Sequence, residues 1–287
     1  MSRATHSTAT HHVEPYQGQD AHRLCLPNGD QVWVANQGAQ VLSWIAQGRE
    51  RLFLSAKSQA GGHAIRGGVP VCWPQFNQRG SLPKHGLARL ATWQWAHTEC
   101  NASAAQLVFE WRDSDDTRAV WPHAFVARVT VALSEAGLQV TLDVHNTDTQ
   151  PLTFTGALHT YLGVDDIALV DLQGLGGLQE WNAVADSVAV AEDPIYFDGE
   201  FDRVYDVPHG PRRLRLQDGQ GVLLIEQSDT WGQTVVWNPG EERCAALPDM
   251  PTDGFAHMLC VEAAQVYTPI EVPAGGVWSG WQRLMVS

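Results

Sequence analysis

The sequence has few of the features that mark membrane, secreted or nucleic-acid-binding proteins. No apolar run approaches the roughly 18 residues that a membrane-spanning helix needs, and the opening segment MSRATHSTATHHVEPYQGQD contains no apolar stretch typical of a secretory leader. Lysines and arginines number 18 against 32 aspartates and glutamates, for a net charge of −14. This balance argues against nucleic acids and membranes as partners, and we expect a soluble, cytoplasmic protein.

Cysteine is also scarce. The chain has five cysteines, an odd number, widely spaced and with no CxxC pair. Such a pattern argues against a disulfide framework and against a structural zinc site, and favours reduced thiols in a cytosol. A His-x-His pair followed by a glutamate is absent as well, so we predict no metal site.

What the sequence does contain is alternation of apolar and polar residues. In FVARVTVAL, residues 125–133, the apolar side chains share one parity, and LQVTLDVHN, residues 138–146, repeats the pattern after the turn SEAG. This period of two is typical of half-buried strands joined in a hairpin. No segment keeps a helical period over a dozen residues, and turn clusters such as LPNGD and QDGQG recur. We therefore predict an all-β sandwich or barrel.

The domain organisation follows from length and composition. A chain of 287 residues is of ordinary size for a single all-β domain, and no linker or tandem repeat divides it. The polar start of the chain is typical of a frayed terminus. We predict a flexible tail over residues 1–20 and one domain over residues 21–287.

Two ionisable residues interrupt apolar strands. His159 lies in TFTGALHTYLGV and Glu262 lies in HMLCVEAAQV. A buried imidazole or carboxylate is costly unless it is paired or serves proton transfer, so the two are candidates for an acid/base pair. The sequence alone leaves two alternatives open, a histidine satisfied by backbone groups and a glutamate that points to solvent.

Basic side chains concentrate in one region of this acidic chain. Within AIRGG and NQRGSLPKHGLARL lie Arg66, Arg79, Lys84, His85 and Arg89. The local excess, beside a pair of glycines, fits the capture of a small dianion such as phosphate, although ordinary loop charges remain an alternative. The 12 tryptophans point weakly to carbohydrate, because indole faces stack on sugar C–H surfaces.

Several segments together resemble one known family. They span residues 65–264, and the chain is similar in them to the glucose-6-phosphate 1-epimerase (hexose-6-phosphate mutarotase) family of the aldose 1-epimerase superfamily. The segments are IRGGVPVCWPQF, LPKHGLARLATWQW, TGALHTYLGVDDI, FDRVY, VVWNPG and DMPTDGFAHMLCVEAA. The resemblance implies a galactose-mutarotase-like β-supersandwich of antiparallel sheets. It also implies an isomerase that interconverts the α and β anomers of a hexose 6-phosphate without cofactor or metal. We expect a monomer or weak homo-oligomer.

The resemblance also assigns roles. His159 of LHTY would be the general acid and Glu262 of CVEAA the general base. Mutarotation needs one base and one acid, which we expect on opposite sides of the sugar ring. Arg66 and Arg89 would bind the phosphate. His85 of the KHG motif and Asp202 of the FDRVY motif would contact the sugar.

Two positions depart from the family pattern. Lys84 replaces a small or amide residue and could add a phosphate contact or change the preferred sugar. Asn77 stands where a glycine usually follows the WPxF motif, which affects the geometry of the loop.

Three functions are compatible with these residues. The leading one is a hexose-6-phosphate 1-epimerase, with a raised KM expected on loss of either arginine. The alternatives are a mutarotase for an unphosphorylated aldose, and a non-catalytic protein that binds sugar phosphates. A pure binder needs no proton-transfer pair, so the presence of both His159 and Glu262 favours an enzyme.

Overall fold

A computed structural model of the protein describes residues 8–58, 62–207, 212–219 and 221–287. Its strands, in chain order, are β1 Thr10–Tyr16, β2 Gln19–Cys25, β3 Gln31–Ala35, β4 Val41–Ala46, β5 Arg49–Glu50, β6 Val71–Cys72, β7 Gln94–Cys100, β8 Ala104–Arg112, β9 Phe125–Ser134, β10 Gly137–Asn146, β11 Leu152–Leu158, β12 Tyr161–Gly163, β13 Asp171–Gln173, β14 Gln179–Asn182, β15 Ser187–Val190, β16 Phe201–Asp206, β17 Arg212–Gln217, β18 Val222–Gln227, β19 Gln233–Asn238, β20 Met258–Val272 and β21 Val277–Val286.

Helices are short. In the described ranges they are the α-helices α1 and α2 and three 3₁₀ turns, and none is long and apolar enough to cross a bilayer. Their bounds are α1 Asp115–Val120, α2 Gly240–Ala245, and 3₁₀ turns Ala88–Leu90, Ile167–Leu169 and Gly254–His257.

The strands form three antiparallel sheets within the described part of the chain. The first has the order β1-β2-β3-β4-β5, the second β13-β17-β18-β21-β10-β9-β8-β7, and the third β15-β14-β16-β19-β20-β11-β6, with β12 paired to β20. One apolar cluster draws buried residues from all three sheets, as expected where sheets stack face to face. The predicted all-β sandwich architecture is confirmed.

The hairpin predicted from alternation is β9–β10. Val129 lies opposite Leu142 with both side chains buried, whereas Arg128, one position away, is exposed. Because side chains alternate between the two faces of a strand, apolar residues at every second position are enough to cover the core on one face.

Strand β20 differs, because both of its faces are buried. Leu259, Val261 and Ala263 join the main core, while Cys260 and Glu262 project from the opposite face and are also buried. A strand covered on both sides reads as a continuous apolar run, as LCVEAA does apart from its glutamate. The second face of the third sheet is therefore the surface that other parts of the chain cover.

Strand register arranges a row of side chains across this second face. Tyr161 pairs with Cys260, Cys260 with Trp237, and Trp237 with Asp202, so the row crosses β12, β20, β19 and β16. Glu262 lies two residues further along β20 and points to the same side. Residues up to 101 positions apart in the chain, Tyr161 and Glu262, are thus neighbours.

The start of the chain corrects one prediction. Thr10–Tyr16, placed in the flexible tail by sequence, forms β1 and pairs along its whole length with β2. The turn between them, Gln17-Gly18, has positive φ at both residues, the geometry of a tight hairpin. The side chain of His11 also bonds that of His22 at 2.9 Å. Residues 1–7 of the predicted tail lie outside the described residues.

A pair of glycines fixes the loop that carries Arg66. Gly67 and Gly68 have φ of +116° and +63°, and a Cβ on them would lie 2.3 Å from the carbonyl oxygen of Phe53 and 1.9 Å from that of Val41. Only glycine tolerates both this backbone conformation and this approach. The loop is thereby held against strand β4 and the segment beside it.

We predict that Gly68→Ala destabilises the protein strongly, whereas Gly48→Ala has a smaller effect. Gly48 also has a positive φ, +75°, but has no atom within 4 Å of its added Cβ. The control should therefore show only the backbone cost, about 1–2 kcal/mol, and Gly68→Ala a loss of about 3 kcal/mol or more. Urea unfolding would measure both, and equal losses would contradict the role of close approach.

Candidate active site

A cavity of about 150 Å³ opens on the second face of the third sheet. It is lined by side chains from strands that are distant in sequence, among them His85, His159, Asp202, Trp237 and Glu262. The site therefore gathers both members of the predicted acid/base pair and both of the residues expected to contact sugar. Its chemistry depends on how far each group is removed from water.

Glu262 is 1% exposed in the middle of β20. Burial disfavours its charged form, and the nearby carboxyl of Asp202 adds repulsion, so the pKa of Glu262 is raised well above the ordinary value. The Oε2 atom is buried without a hydrogen-bond partner among the described residues. Such a carboxyl can hold a proton near neutral pH and exchange it with a ligand.

His159 follows β11, where its backbone N–H donates to the carbonyl of Pro70 at 2.9 Å. Its ring stacks on Tyr161 with a centroid distance of 4.8 Å and an angle of 8°. Burial lowers the pKa of His159 well below its usual value, and His85, Arg66 and Arg89 nearby lower it further. This surrounding favours the neutral imidazole.

The two groups touch each other. Nδ1 of His159 lies 3.4 Å from Oε1 of Glu262, and Nδ1 makes no hydrogen bond to any residue in the described ranges. Burial opposes both charges and therefore favours a neutral imidazole beside a protonated carboxyl, with one titratable proton between the two groups. The two groups line the same cavity, and their placement about a sugar ring stays a prediction.

His85 enters the cavity from a strained loop. Its φ is +65°, which is rare for a residue with a side chain and is found where a site requires it. The backbone N–H of Asn77 donates to His85 Nδ1 at 3.3 Å, and the N–H of His85 donates back to the carbonyl of Asn77. Burial and nearby cations lower the pKa of His85 to about 3, so the neutral ring carries its proton on Nε2.

Asn77, the departure noted in the sequence, has a positive φ of 49°. Glycine adopts this conformation without strain, and asparagine is among the residues that tolerate it best. The substitution therefore keeps the loop geometry that a glycine would provide.

A second cavity, of about 250 Å³, adjoins the first. Three cationic side chains line it, Arg66, Lys84 and Arg89, and it shares Arg66, Lys84, His85 and His159 with the first cavity. Arg66 and Arg89, to which the resemblance assigns phosphate binding, thus line one cavity, with Lys84 beside them. Lys84 loses water there and is repelled by the arginines, so its pKa is lowered.

Arg66 is held rigidly. Its Nε and Nη2 donate to both carboxylate oxygens of Asp249 at 3.1 and 3.0 Å, and Nη1 donates to the hydroxyl of Tyr161 at 3.2 Å. Three of its five N–H bonds are used in this way. Arg89 is less engaged: Nη2 donates to the carbonyl of Lys84 at 2.8 Å, and its buried Nε has no partner among the described residues.

Asp202 lies on β16, opposite Trp237 in the register. Burial raises its pKa, and Glu200 adds to the effect, while Arg203 opposes it. A carboxyl group in this position can accept hydrogen bonds from sugar hydroxyl groups.

Sequence reasoning missed several residues at the site. Asp249, in the turn PDMPTDG, orients Arg66, and Tyr161 bridges Arg66 to His159 by a hydrogen bond and a ring stack. Arg243 of α2 and Trp237 of β19 line the first cavity. The signal available for Tyr161 was its spacing of two from His159, which puts both side chains on one side of an extended chain. Nothing in the local sequence marked Asp249 or Arg243.

Three atoms of metal-ligand type also meet here. One donor atom each from His159, Cys260 and Glu262 lie within 4.8 Å of one another. Metals bind the thiolate, and burial raises the pKa of the Cys260 thiol well above its usual value, with Glu262 adding to the effect. A neutral thiol beside a protonated carboxyl is a poor donor set for a metal ion.

Comparison with known proteins bears on this geometry. The model of the aldose 1-epimerase family matches residues 20–285. The chain belongs to the aldose 1-epimerase family. A curated relative from Cenchrus ciliaris is 34% identical over 85% of this chain and 77% of its own length, and one from Escherichia coli is 35% identical over 80% and 78%. Both carry the name "putative glucose-6-phosphate 1-epimerase".

Solved structures agree. The crystal structure of a "putative mutarotase" from Salmonella typhimurium has a TM-score of 0.84 over 93% of this chain and 91% of that one, at 30% identity. A galactose 1-epimerase from Lactobacillus acidophilus, at 12% identity, shares the fold with a TM-score of 0.70 over 97% and 98%. The galactose-mutarotase-like architecture implied by the sequence is confirmed, and the family membership makes the protein an isomerase of the epimerase type.

We predict that Glu262→Gln raises thermal stability at pH 8 and has little effect near pH 4.5. A carboxyl whose pKa is raised on folding is without cost below its unfolded pKa, and the cost grows as pH rises above it. Each kcal/mol by which the variant's free energy of unfolding exceeds that of the parent should raise Tm by roughly 2–4 °C. Thermal unfolding of both proteins across pH 4.5–8 measures the difference.

Glu110→Gln is the matched control, with the opposite sign expected. Although partial burial opposes it, hydrogen bonds from Arg128 and Arg112 lower the pKa of Glu110. Its contribution is present above the unfolded pKa and is lost as pH falls through the folded one, so this variant should be less stable than the parent at pH 8. A Glu262→Gln variant less stable than the parent at pH 8 would contradict a buried, protonated Glu262.

Proposed function

We propose that the protein interconverts the α and β anomers of a hexose 6-phosphate, with glucose 6-phosphate as the first candidate. One observation carries the proposal: His159 lines both the cavity that contains Glu262 and the adjoining pocket of three cations. A sugar ring in the first cavity and its phosphate in the second would bring the anomeric carbon to the proton-transfer pair. The names of the relatives from Cenchrus ciliaris and Escherichia coli support the same substrate class.

The reaction opens and closes the pyranose ring. In opening, ionised Glu262 takes the proton of the C1 hydroxyl while the His159 imidazolium gives a proton to the ring oxygen, the C1–O5 bond breaks, and an aldehyde forms at C1. Both oxygens are bonded to C1, which is why an acid and a base that line one cavity can serve them together. Each such transfer is typically worth about 10²–10⁴ in rate.

Closure uses the other protonation state of the pair. After rotation about C1–C2, neutral His159 removes the proton of the C5 hydroxyl as it attacks C1, and protonated Glu262 returns a proton to the carbonyl oxygen. The two states differ only by transfer of the shared proton from one group to the other. A pair with a single proton therefore suits a reaction that runs equally in both directions.

The neighbouring groups would bind the sugar. The neutral ring of His85 offers the N–H of Nε2, because Asn77 occupies Nδ1. Asp202 offers carboxyl oxygens, and Trp237 offers an aromatic surface in the same cavity. Together they present donors, acceptors and an apolar face, which a polyhydroxylated ring requires.

We predict that Glu262→Gln and His159→Asn each slow the exchange of glucose 6-phosphate anomers by about 10² or more. Exchange NMR between the two anomers, at equilibrium, measures the rate directly. Arg118→Ala, an exposed arginine of α1, is the control and should behave as the parent. Saturable binding of glucose 6-phosphate without accelerated exchange in the parent would identify a binding protein instead.

The second enzymatic candidate is a mutarotase for an unphosphorylated aldose, favoured by the fold shared with a galactose 1-epimerase. Arg89→Ala distinguishes the two. We expect kcat/KM for glucose 6-phosphate to fall by about 10² in this variant, because a desolvated charge-assisted contact is lost. Equal, small effects on glucose and glucose 6-phosphate would favour the unphosphorylated substrate.

A further inference from the structure

The two members of the proton-transfer pair are related differently to the cationic pocket. His159 is part of its wall together with Arg66, Lys84 and Arg89, whereas Glu262 lines only the sugar cavity. A charge placed in the pocket is therefore adjacent to the imidazole, whereas the carboxyl lines only the other cavity. Such a charge acts unequally on two groups that hold one proton between them.

The ionisable groups around His159 and the two cavities come from seven parts of the fold. On the strands they are Glu262 and Cys260 of β20, Tyr161 of β12 and Asp202 of β16. The loop before the first 3₁₀ turn carries Arg79, Lys84 and His85, that turn carries Arg89, α2 carries Arg243, and Arg66, paired with Asp249, lies beside the paired glycines.

The positive charge on this list is incompletely compensated. Asp249 neutralises Arg66 through two hydrogen bonds. Arg89 has only a backbone carbonyl as partner, and the ammonium of Lys84 is in no ion pair with any described residue. Lys84 and Arg89 thus line the pocket beside His159 without a carboxylate partner among the described residues. Arg66 and Arg89 both disfavour the imidazolium form of His159. A dianion in the pocket would bring two negative charges to the same place.

We propose that a dianion bound between Arg66, Lys84 and Arg89 activates the catalytic pair by drawing its shared proton from Glu262 to His159. The substrate's phosphate is then an activator as well as an anchor, and a free inorganic dianion can activate the protein towards a sugar that has no phosphate. This inference rests on the proposed function. In the transfer the O–H bond at Oε1 breaks, an N–H bond forms at Nδ1, and the number of protons is unchanged.

The geometry provides the contact that the transfer needs. Nδ1 and Oε1 are 3.4 Å apart, and catalytic hydrogen bonds that are long without substrate commonly tighten when it binds. Tyr161 connects the two sites as well: its hydroxyl accepts from Arg66, and its ring lies flat on His159. An anion that binds Arg66 thus binds a side chain that is hydrogen-bonded to Tyr161, whose ring stacks on His159.

The inference separates anchoring from activation in the kinetics. A phosphate that serves only as an anchor would affect KM and leave kcat unchanged. A phosphate that prepares the pair must also raise kcat, because the ionised state of the pair is the one that opens the ring.

The test uses a substrate in two pieces, D-xylose, which has the pyranose ring of glucose without the C6 group, and phosphite dianion. Exchange NMR at pH 8 measures anomer exchange of D-xylose by the protein as phosphite is increased, with the enzyme-free phosphite reaction subtracted. We expect a saturable acceleration of about tenfold or more. The acceleration should vanish in Arg89→Ala and persist in the control Arg118→Ala.

The outcomes separate this inference from the proposed function. No activation of D-xylose by a protein that does accelerate glucose 6-phosphate exchange would overturn the inference and leave the function standing, whether or not phosphite inhibits that exchange. No acceleration of glucose 6-phosphate exchange would overturn the function itself.

A second measurement needs no turnover. In protein labelled with ¹⁵N-histidine, we expect inorganic phosphate at neutral pH to move the ring shifts of His159 towards those of imidazolium, in the parent and not in Arg89→Ala. The His159 signals are those that His159→Asn removes. Phosphate that binds without moving these shifts would overturn the inference even if the enzyme is active.

Discussion

The removal of Glu262 from water is the constraint on which the site depends. A carboxyl at this depth is tolerated only because it can hold a proton and because His159 lies 3.4 Å away. Both conditions follow from β20, whose one face joins the main core while the other is covered by the loops that carry His85 and Arg66. Without the second covering, Glu262 would be an ordinary ionised side chain on a sheet.

The cationic pocket depends on the same covering loops. The backbone of Gly67 and Gly68 approaches two carbonyl groups so closely that a side chain is excluded, and this fixes where Arg66 leaves the loop. Asp249 then holds the guanidinium, which offsets part of the cost of its burial. The pocket is thus preorganised around an excess of positive charge that an anionic ligand can compensate.

Local patterns allowed much of this to be predicted. The alternation of apolar and polar residues in β9 and β10 predicts a β-sheet architecture. His159 and Glu262 could be singled out because each interrupts an apolar run. The position of β1 was missed because its contacts are backbone bonds to β2 and a histidine pair, which composition does not record. Asp249 was missed for another reason: it meets Arg66 from 183 residues away, through the arrangement of loops alone.

The contact between His159 and Glu262 could not be predicted either, and it changes how the pair works. An acid and a base that do not touch would titrate independently and would each need its own protonation state prepared. Two buried groups in contact hold one proton jointly, so a single internal transfer converts the state that opens the ring into the state that closes it. A reaction with nearly equal free energy on both sides gains from this arrangement, because after either turnover the pair is ready for the reverse step.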